Sequence, residues 1–268
     1  MPHSSTSSGR EKPSFKQALG NKKMQTLIGG LLVIAAASAT AVGVQSATGP
    51  ATSAPTTKAE IEQIVRDYIL EHPEILPEAM ERLKAKHVKA SIEENRDALE
   101  TPYRGAWEGA ENGDVILVEF FDYACGYCRK ARTDIEKLLA EDKKLKVVYR
   151  ELPILSEASN SAARVSLLAA EKGKYSAFHE ALYKAGRVSQ DSILAAATSV
   201  GLDRKTALSA MKDDSYRVEI EGNIKLAQAL GATGTPAFVV GNQFLNGAVG
   251  YDALKQAIAQ TRKEKGGE

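Results

Sequence analysis

Hydrophobic positions change their spacing repeatedly along this chain, and each change marks a boundary. Residues 24–44 carry no charge and bring Leu27, Ile28, Leu31, Leu32, Val33 and Ile34 close together. Residues 45–57 (QSATGPATSAPTT) then show no periodicity. From Ile61, apolar residues recur at helical spacing through Ile64, Val65, Tyr68 and Ile69. The preceding Thr57-Lys58-Ala59-Glu60 has the form of a capping box, so a helix is expected to open there. His72-Pro73 interrupts it, because proline disfavours helical geometry in the residue before it. A second helix is expected from near Pro77, with Met80, Leu83, His87 and Val88 along one face. An amphipathic segment of this size cannot bury its stripe alone. It either docks on a larger domain or pairs with copies of itself.

Further along, strand and helix patterns alternate. Val115–Phe121 (VILVEFF) is a short apolar run of buried-strand type, broken only by the acidic Glu119. A helical pattern follows through Arg129, Ile135, Leu138 and Leu139. A second strand is expected over Leu145–Leu152, ended by Pro153, and residues from about 156 to 229 read as several helices. Ala237–Val240, a Gly241-Asn242 turn and Gln243–Leu245 make a hairpin, and Tyr251 to Lys265 a closing helix. The fold class expected is α/β.

Composition narrows the picture. The chain has 268 residues, 43% of them hydrophobic, enough for one core plus a smaller accessory element. A net charge of +1 and an aromatic content of 6% argue against nucleic acid as a partner. Charge is uneven at the start, where residues 1–23 carry Arg10, Lys12, Lys16, Lys22 and Lys23 against Glu11. A basic flank before an apolar segment directs export, with the basic side left in the cytoplasm. Residues 1–23 are therefore expected to be a cytoplasmic leader, 24–44 a signal peptide or a membrane anchor, and 45–57 a flexible linker. Ala37-Ser38-Ala39 offers a cleavage site near Ala39.

The candidate chemistry lies in the two cysteines, Cys125 and Cys128, three positions apart. Such a pair is a redox dithiol or half of a zinc site. The histidines, His3, His72, His87 and His179, lack the spacing that would complete a zinc site. His179 reads as structural, and His72 and His87 as surface or packing residues. The dithiol falls where a strand ends and a helix begins, and a helix N-terminus stabilises a thiolate. Cys125 is thus the expected nucleophile and Cys128, one turn further in, the resolving thiol. Glu119 either relays the proton of Cys128 or is simply a buried acid with its own hydrogen bond. Soft thiolates also suit Cu(I), so a copper carrier or a holdase without turnover is the alternative from another class.

Strand, Cys-x-x-Cys at a helix start, helical block, Thr-Pro, hairpin and closing helix together resemble the DsbA-like thioredoxin superfamily. FFDYACGYC and GTPAFVV, with Thr235-Pro236 about 110 residues after Cys125, carry the resemblance across roughly Thr101 to Lys265. It implies a thioredoxin fold over 101–268 with a helical insertion at about 156–229, and no cofactor. It implies that Pro236 is cis and lies against the dithiol. Thr235 would pair through its backbone with an extended substrate, with Tyr127 also at the binding surface. Glu119 matches the family's buried acid. The segment EIEQIVRDYILEHPEILPEAMERL resembles the extension of suppressor-of-copper-sensitivity proteins of the ScsC type, which implies homo-oligomerisation through residues 58–100. The Gly-Tyr dipeptide is similar to disulfide isomerases of the DsbC type, whereas the typical oxidase carries Pro-His there. The expected function is that of a periplasmic protein thiol-disulfide oxidoreductase, acting as an isomerase. Its partners would be exported cysteine-containing proteins and a membrane redox protein that resets the dithiol. The nearest alternative is a dithiol oxidase.

Overall fold

The computed structural model describes residues 57–267. The basic leader, the apolar segment 24–44 and the linker up to residue 56 lie outside the described residues. In chain order the elements are α1 (Lys58–Glu71), α2 (Ile75–Glu94), α3 (Arg96–Glu100), β1 (Trp107–Gly109), β2 (Val115–Phe121), α4 (Gly126–Glu141) and β3 (Leu145–Glu151). Five helices follow: α5 (Glu157–Glu171), α6 (Tyr175–Lys184), α7 (Gln190–Ser199), α8 (Arg204–Ala210) and α9 (Arg217–Ala229). The chain closes with β4 (Ala237–Val240), β5 (Gln243–Asn246) and α10 (Tyr251–Gly266).

The strands form one mixed sheet in the order β1-β3-β2-β4-β5. β2 and β3 run parallel, joined by α4, and pair from Val115↔Leu145 to Phe121↔Glu151. Parallel strands of this kind are covered on both faces, and the two-residue period decides which side chain goes where. Leu117 and Phe121 pack with Val147 and Tyr149 beneath α4 and α10, in the same cluster as α5, α6 and α7. Val118 and Phe120 pack on the other face with Val148, Ala227 and Leu230. Glu119 is two positions from both Leu117 and Phe121 and so falls with them on the α4 side. β1 has no counterpart in the hydrophobic pattern; it is a three-residue edge strand, antiparallel to β3.

The N-terminal helices divide into two parts. Thr57 and Glu60 form the expected capping box, each side chain accepting from the other's backbone N–H at 3.3 and 3.1 Å. No residue of α1 is buried. By the end of α2 the helix has met the domain. Ile92, and Leu99 in α3, are fully buried against Val118, Phe120 and Val239. Arg150 of β3 holds this root in place. Its guanidinium donates to the Leu99 carbonyl at 3.2 Å, to the carbonyls of Ala98 and Thr101, and to Glu219 at 3.0 Å. Helix ends leave carbonyls without partners, and here one arginine satisfies three.

Candidate active site

β2 ends at Phe121 and α4 starts at Gly126, which places Cys125 at the cap position with φ −79° and ψ 117°. That extended backbone turns the sulfur back over the helix end, where Sγ accepts from the Cys128 N–H at 3.2 Å. On its other side the thiol donates to the carbonyl of Thr235 at 3.3 Å. Thr235 arrives there because β4 pairs with β2, Phe120 opposite Ala237. The Thr235–Pro236 peptide is cis. The Thr235 hydroxyl is buried without a hydrogen-bond partner. Tyr127, between the cysteines, is 69% exposed.

The two thiols are driven apart in acidity. Cys125 is lowered from 9.0 to about 5, by the Cys128 thiol above all, then by Thr235 and the backbone N–H groups of Cys128 and Tyr127, against the effect of burial. Cys128 is fully buried, and burial pushes its thiol far above the ordinary range; the hydrogen bond to Cys125 and the charge of Glu119 add to this. One sulfur is thus a ready thiolate at neutral pH and the other a thiol that must first lose a proton.

Glu119 lies beneath the dithiol, 2% exposed, with Oε1 lacking a hydrogen-bond partner. Burial pushes its carboxyl up to about 8; Arg132 pulls the other way, while Cys125 and Glu108 add to the rise. Arg132, on α4, is itself pinned by Glu108 at 2.5 Å and by the Tyr149 hydroxyl at 2.7 Å. A cation on α4, one turn beyond Cys128, is thereby fixed close enough to act on Glu119 through charge.

His179 is fully buried. Its Nδ1 shares a 2.9 Å hydrogen bond with the Tyr123 hydroxyl, which also bonds Ser166 at 2.8 Å. The rings of Phe121, Tyr123, Tyr149, Tyr175 and Tyr183 surround it. Burial holds its imidazole well below 6.5, so it is a neutral core residue packed behind the site. His72 and His87 are exposed. Sequence reasoning passed over Arg132 and also Asp122, a buried acid in the turn before Cys125. Its place between a strand end and the dithiol was the available signal.

Residues 116–259 match the family model of the DSBA-like thioredoxin domain. The chain belongs to the DsbA-like thioredoxin family. Residues 58–90 also match the N-terminal domain of the copper resistance protein ScsC. A thioredoxin-like oxidoreductase from Silicibacter pomeroyi is 40% identical with a TM-score of 0.60, over 63% of this chain and 98% of that one. A linker-deletion mutant of Proteus mirabilis ScsC is 28% identical with a TM-score of 0.65, over 80% of this chain and 100% of that one. Among curated relatives, the thiol:disulfide interchange protein DsbA of Bordetella pertussis is 27% identical over 56% of this chain and 78% of its own. The chain also matches a Na(+)/H(+) antiporter NhaA from Salinispora arenicola at 26% identity, spanning only 24% of that protein's length. The DsbA-like domain carries the cysteine pair, and the ScsC-like segment ends two residues before the buried Ile92.

Among the described residues, no helix is long and apolar enough to cross a membrane. The segment 24–44, for which an anchor or signal was expected, is not among them.

Proposed function

We propose that this DsbA-like protein is an exported protein-disulfide isomerase that works as a homo-oligomer through residues 58–100. The observation that carries this reading is the apolar face left open on α1 and the first half of α2. Ile61, Ile64, Val65, Tyr68, Leu76, Met80 and Leu83 are exposed, from 48% at Ile61 to 70% at Met80. A second copy of the same face is the partner that would bury it, in a segment matching an ScsC N-terminal domain. Several dithiols would then converge on one misfolded substrate.

In this reading the Cys125 thiolate attacks one sulfur of a substrate disulfide. A mixed disulfide forms and the other substrate sulfur leaves as a thiolate. A different substrate thiolate then attacks the mixed disulfide, expelling Cys125 with no net change in electrons. A stalled intermediate is released when Cys128 loses its proton, with the ionised form of Glu119 as the acceptor, and displaces the substrate from Cys125. That leaves the enzyme oxidised and the substrate reduced, and a membrane redox partner returns two electrons. Thr235 would pair its backbone with the extended substrate, beside Pro236 and Tyr127. The basic and apolar start of the chain supports delivery to the periplasm, cleaved or anchored at 24–44.

A second reading, dithiol oxidase, is favoured by the low value of Cys125. Stabilising the thiolate stabilises the reduced dithiol and makes its disulfide a strong oxidant. Recovery of activity from scrambled, fully oxidised ribonuclease separates the two. Residues 58–268 are compared with the same chain carrying Ile64→Asp and Tyr68→Asp, each beside a Cys125→Ser control. Strong recovery lost in the double variant supports an oligomeric isomerase. Absence of recovery, with rapid oxidation of reduced ribonuclease by both proteins, would mean an oxidase. Activity surviving in Cys125→Ser would end both readings.

A further inference from the structure

Asp122 is 1% exposed, in the turn between β2 and Cys125. A carboxylate buried that deeply needs hydrogen-bond donors, and all those it finds are backbone N–H groups. Oδ1 accepts from Ala124 at 2.8 Å. Oδ2 accepts from Ile154 and from Leu155, each at 3.0 Å. The main-chain carbonyl of Asp122 accepts from the Cys125 N–H at 3.0 Å. The segment it reaches is the continuation of β3, already tied to β2 by the Leu152 N–H donating to the Phe121 carbonyl at 2.8 Å. One residue therefore binds the nucleophile's turn to itself, to its own strand end and to the neighbouring chain segment.

We propose that Asp122 is a positioning residue for the exchange reaction, fixing the turn on which Cys125 sits by anchoring it to the backbone of Ile154 and Leu155. The inference rests on Cys125 being the attacking thiol. The seat matters because Cys125 must keep its extended backbone for Sγ to receive the Cys128 N–H. A turn free to relax toward helical or open geometry loses that contact, and the thiolate with it. The side-chain chemistry is restrictive. A carboxylate accepts at both oxygens, whereas an amide accepts at one and donates at the other. Asparagine can therefore satisfy Ala124 or the Ile154–Leu155 pair, but not both.

The groups that bear on the Cys125 sulfur are Cys128 and the Tyr127 N–H on α4, Glu119 on β2 and Thr235 ahead of β4, and the Asp122 carboxylate sits three residues before it. Charge and seating by Asp122 predict opposite signs. Removing a nearby negative charge makes the thiolate easier to form, whereas loosening the seat makes it harder.

The test uses the full chain with Asp122→Asn, and separately with Leu155→Pro. The second variant removes one donor at an exposed position and keeps the carboxylate charged. Thiolate absorbance at 240 nm is followed against pH, together with the reaction rate with a small aromatic disulfide at pH 6 and the melting temperature. The expected result is an upward move of the Cys125 titration by about one pH unit in Asp122→Asn, with about twofold slower reaction at pH 6 as the thiolate fraction falls from roughly 0.9 to roughly 0.5. Leu155→Pro moves it in the same direction by less. A titration that stays in place or moves down, whatever happens to the melting temperature, overturns the proposal. If Asp122→Asn fails to fold, Leu155→Pro decides alone by the same criterion. Failure of the underlying reading looks different: wild-type protein and Cys125→Ser would then react equally.

Discussion

The sulfur of Cys125 lies 3.3 Å from the carbonyl oxygen of Thr235, a residue 110 positions further along the chain. The contact is a product of sheet pairing, since β4 lies antiparallel to β2 and delivers Thr235, two residues ahead of its first position, to the dithiol. The Cys128 thiol above all, then Thr235 and the N–H groups of the α4 cap, lower the Cys125 thiol to about 5 against the effect of burial. A thiol lowered in the folded state from 9.0 to about 5 adds stability that is present above the unfolded value and lost as pH falls through the folded one. The disulfide form has no such contribution. The melting temperature of the reduced protein is thus expected to rise relative to the oxidised protein as pH climbs from about 5 to about 9. Thermal melts with and without reductant across that range check it; a constant difference would mean the thiolate is not stabilised by folding.

Glu119 behaves with the opposite sign. Its carboxyl is raised from 4.5 to about 8, so the folded protein keeps a proton that the unfolded chain has released. Stability from this group is complete below about 4.5 and is lost as pH rises through about 8, up to roughly 5 kcal/mol at ~1.4 kcal/mol per pH unit. Glu119→Gln should therefore gain stability over wild type progressively across that window and hold a constant advantage above it. Resolution of a mixed disulfide by Cys128 should slow in the same variant by about 100-fold at pH 7, the scale of a lost proton relay. The attack of Cys125 on a small disulfide should change far less. Equal slowing of both steps would place Glu119 in the framework of the site and not in proton transfer.

Why some of this could be read from the chain and some could not has a physical basis. VILVEFF announces a strand because both faces of β2 are buried, so nearly every position had to be apolar and the one acid stood out. Cys125, Cys128 and Pro236 were legible as residue types with restricted uses. Trp107–Gly109 was not: three residues on a sheet edge carry no period, and pairing with β3 is what makes them a strand. Asp122 gave no signal of its reach because its partners at Ile154 and Leu155 are backbone groups 32 and 33 positions away. The helical pattern of residues 58–100 was plain, but periodicity alone does not say which part of a stripe meets its own domain.

Ile64 and Ile92 share a residue type and lie on successive helices, yet one is 54% exposed and the other fully buried. Ile92→Ala is expected to cost about 2–5 kcal/mol, as core truncations do, because its neighbours Val118, Phe120 and Val239 belong to the sheet and cannot close the gap. Ile64→Ala should leave the stability of an isolated protomer within about 0.5 kcal/mol of wild type. Denaturant unfolding at low protein concentration compares them. Similar losses at both sites would show that α1 is covered even in a single chain.

Arg150 provides the sharpest test of how the root of the extension is held. Its side chain is 5% exposed and bridges from β3 to three carbonyls near the end of α3, with Glu219 and Asn223 on its other side. A buried arginine is costly to desolvate, and the cost is offset only when its donors are used. Here the flat fork suits the task, since separate N–H groups point at separate acceptors. Lysine offers one ammonium at a single point and cannot span them. Arg150→Met leaves Glu219 without its 3.0 Å partner and the carbonyls of Ala98, Leu99 and Thr101 without this donor. A loss of about 3–5 kcal/mol is expected, and Arg150→Lys should recover little of it. Because these residues lie across the sheet from the dithiol, Cys125 in the folded variants should react with a small disulfide at the wild-type rate. Amide hydrogen exchange at residues 98–101 should quicken selectively. If Arg150→Lys instead unfolds within about 0.5 kcal/mol of wild type, a single positive charge is enough and the multiple carbonyl contacts do not hold the root.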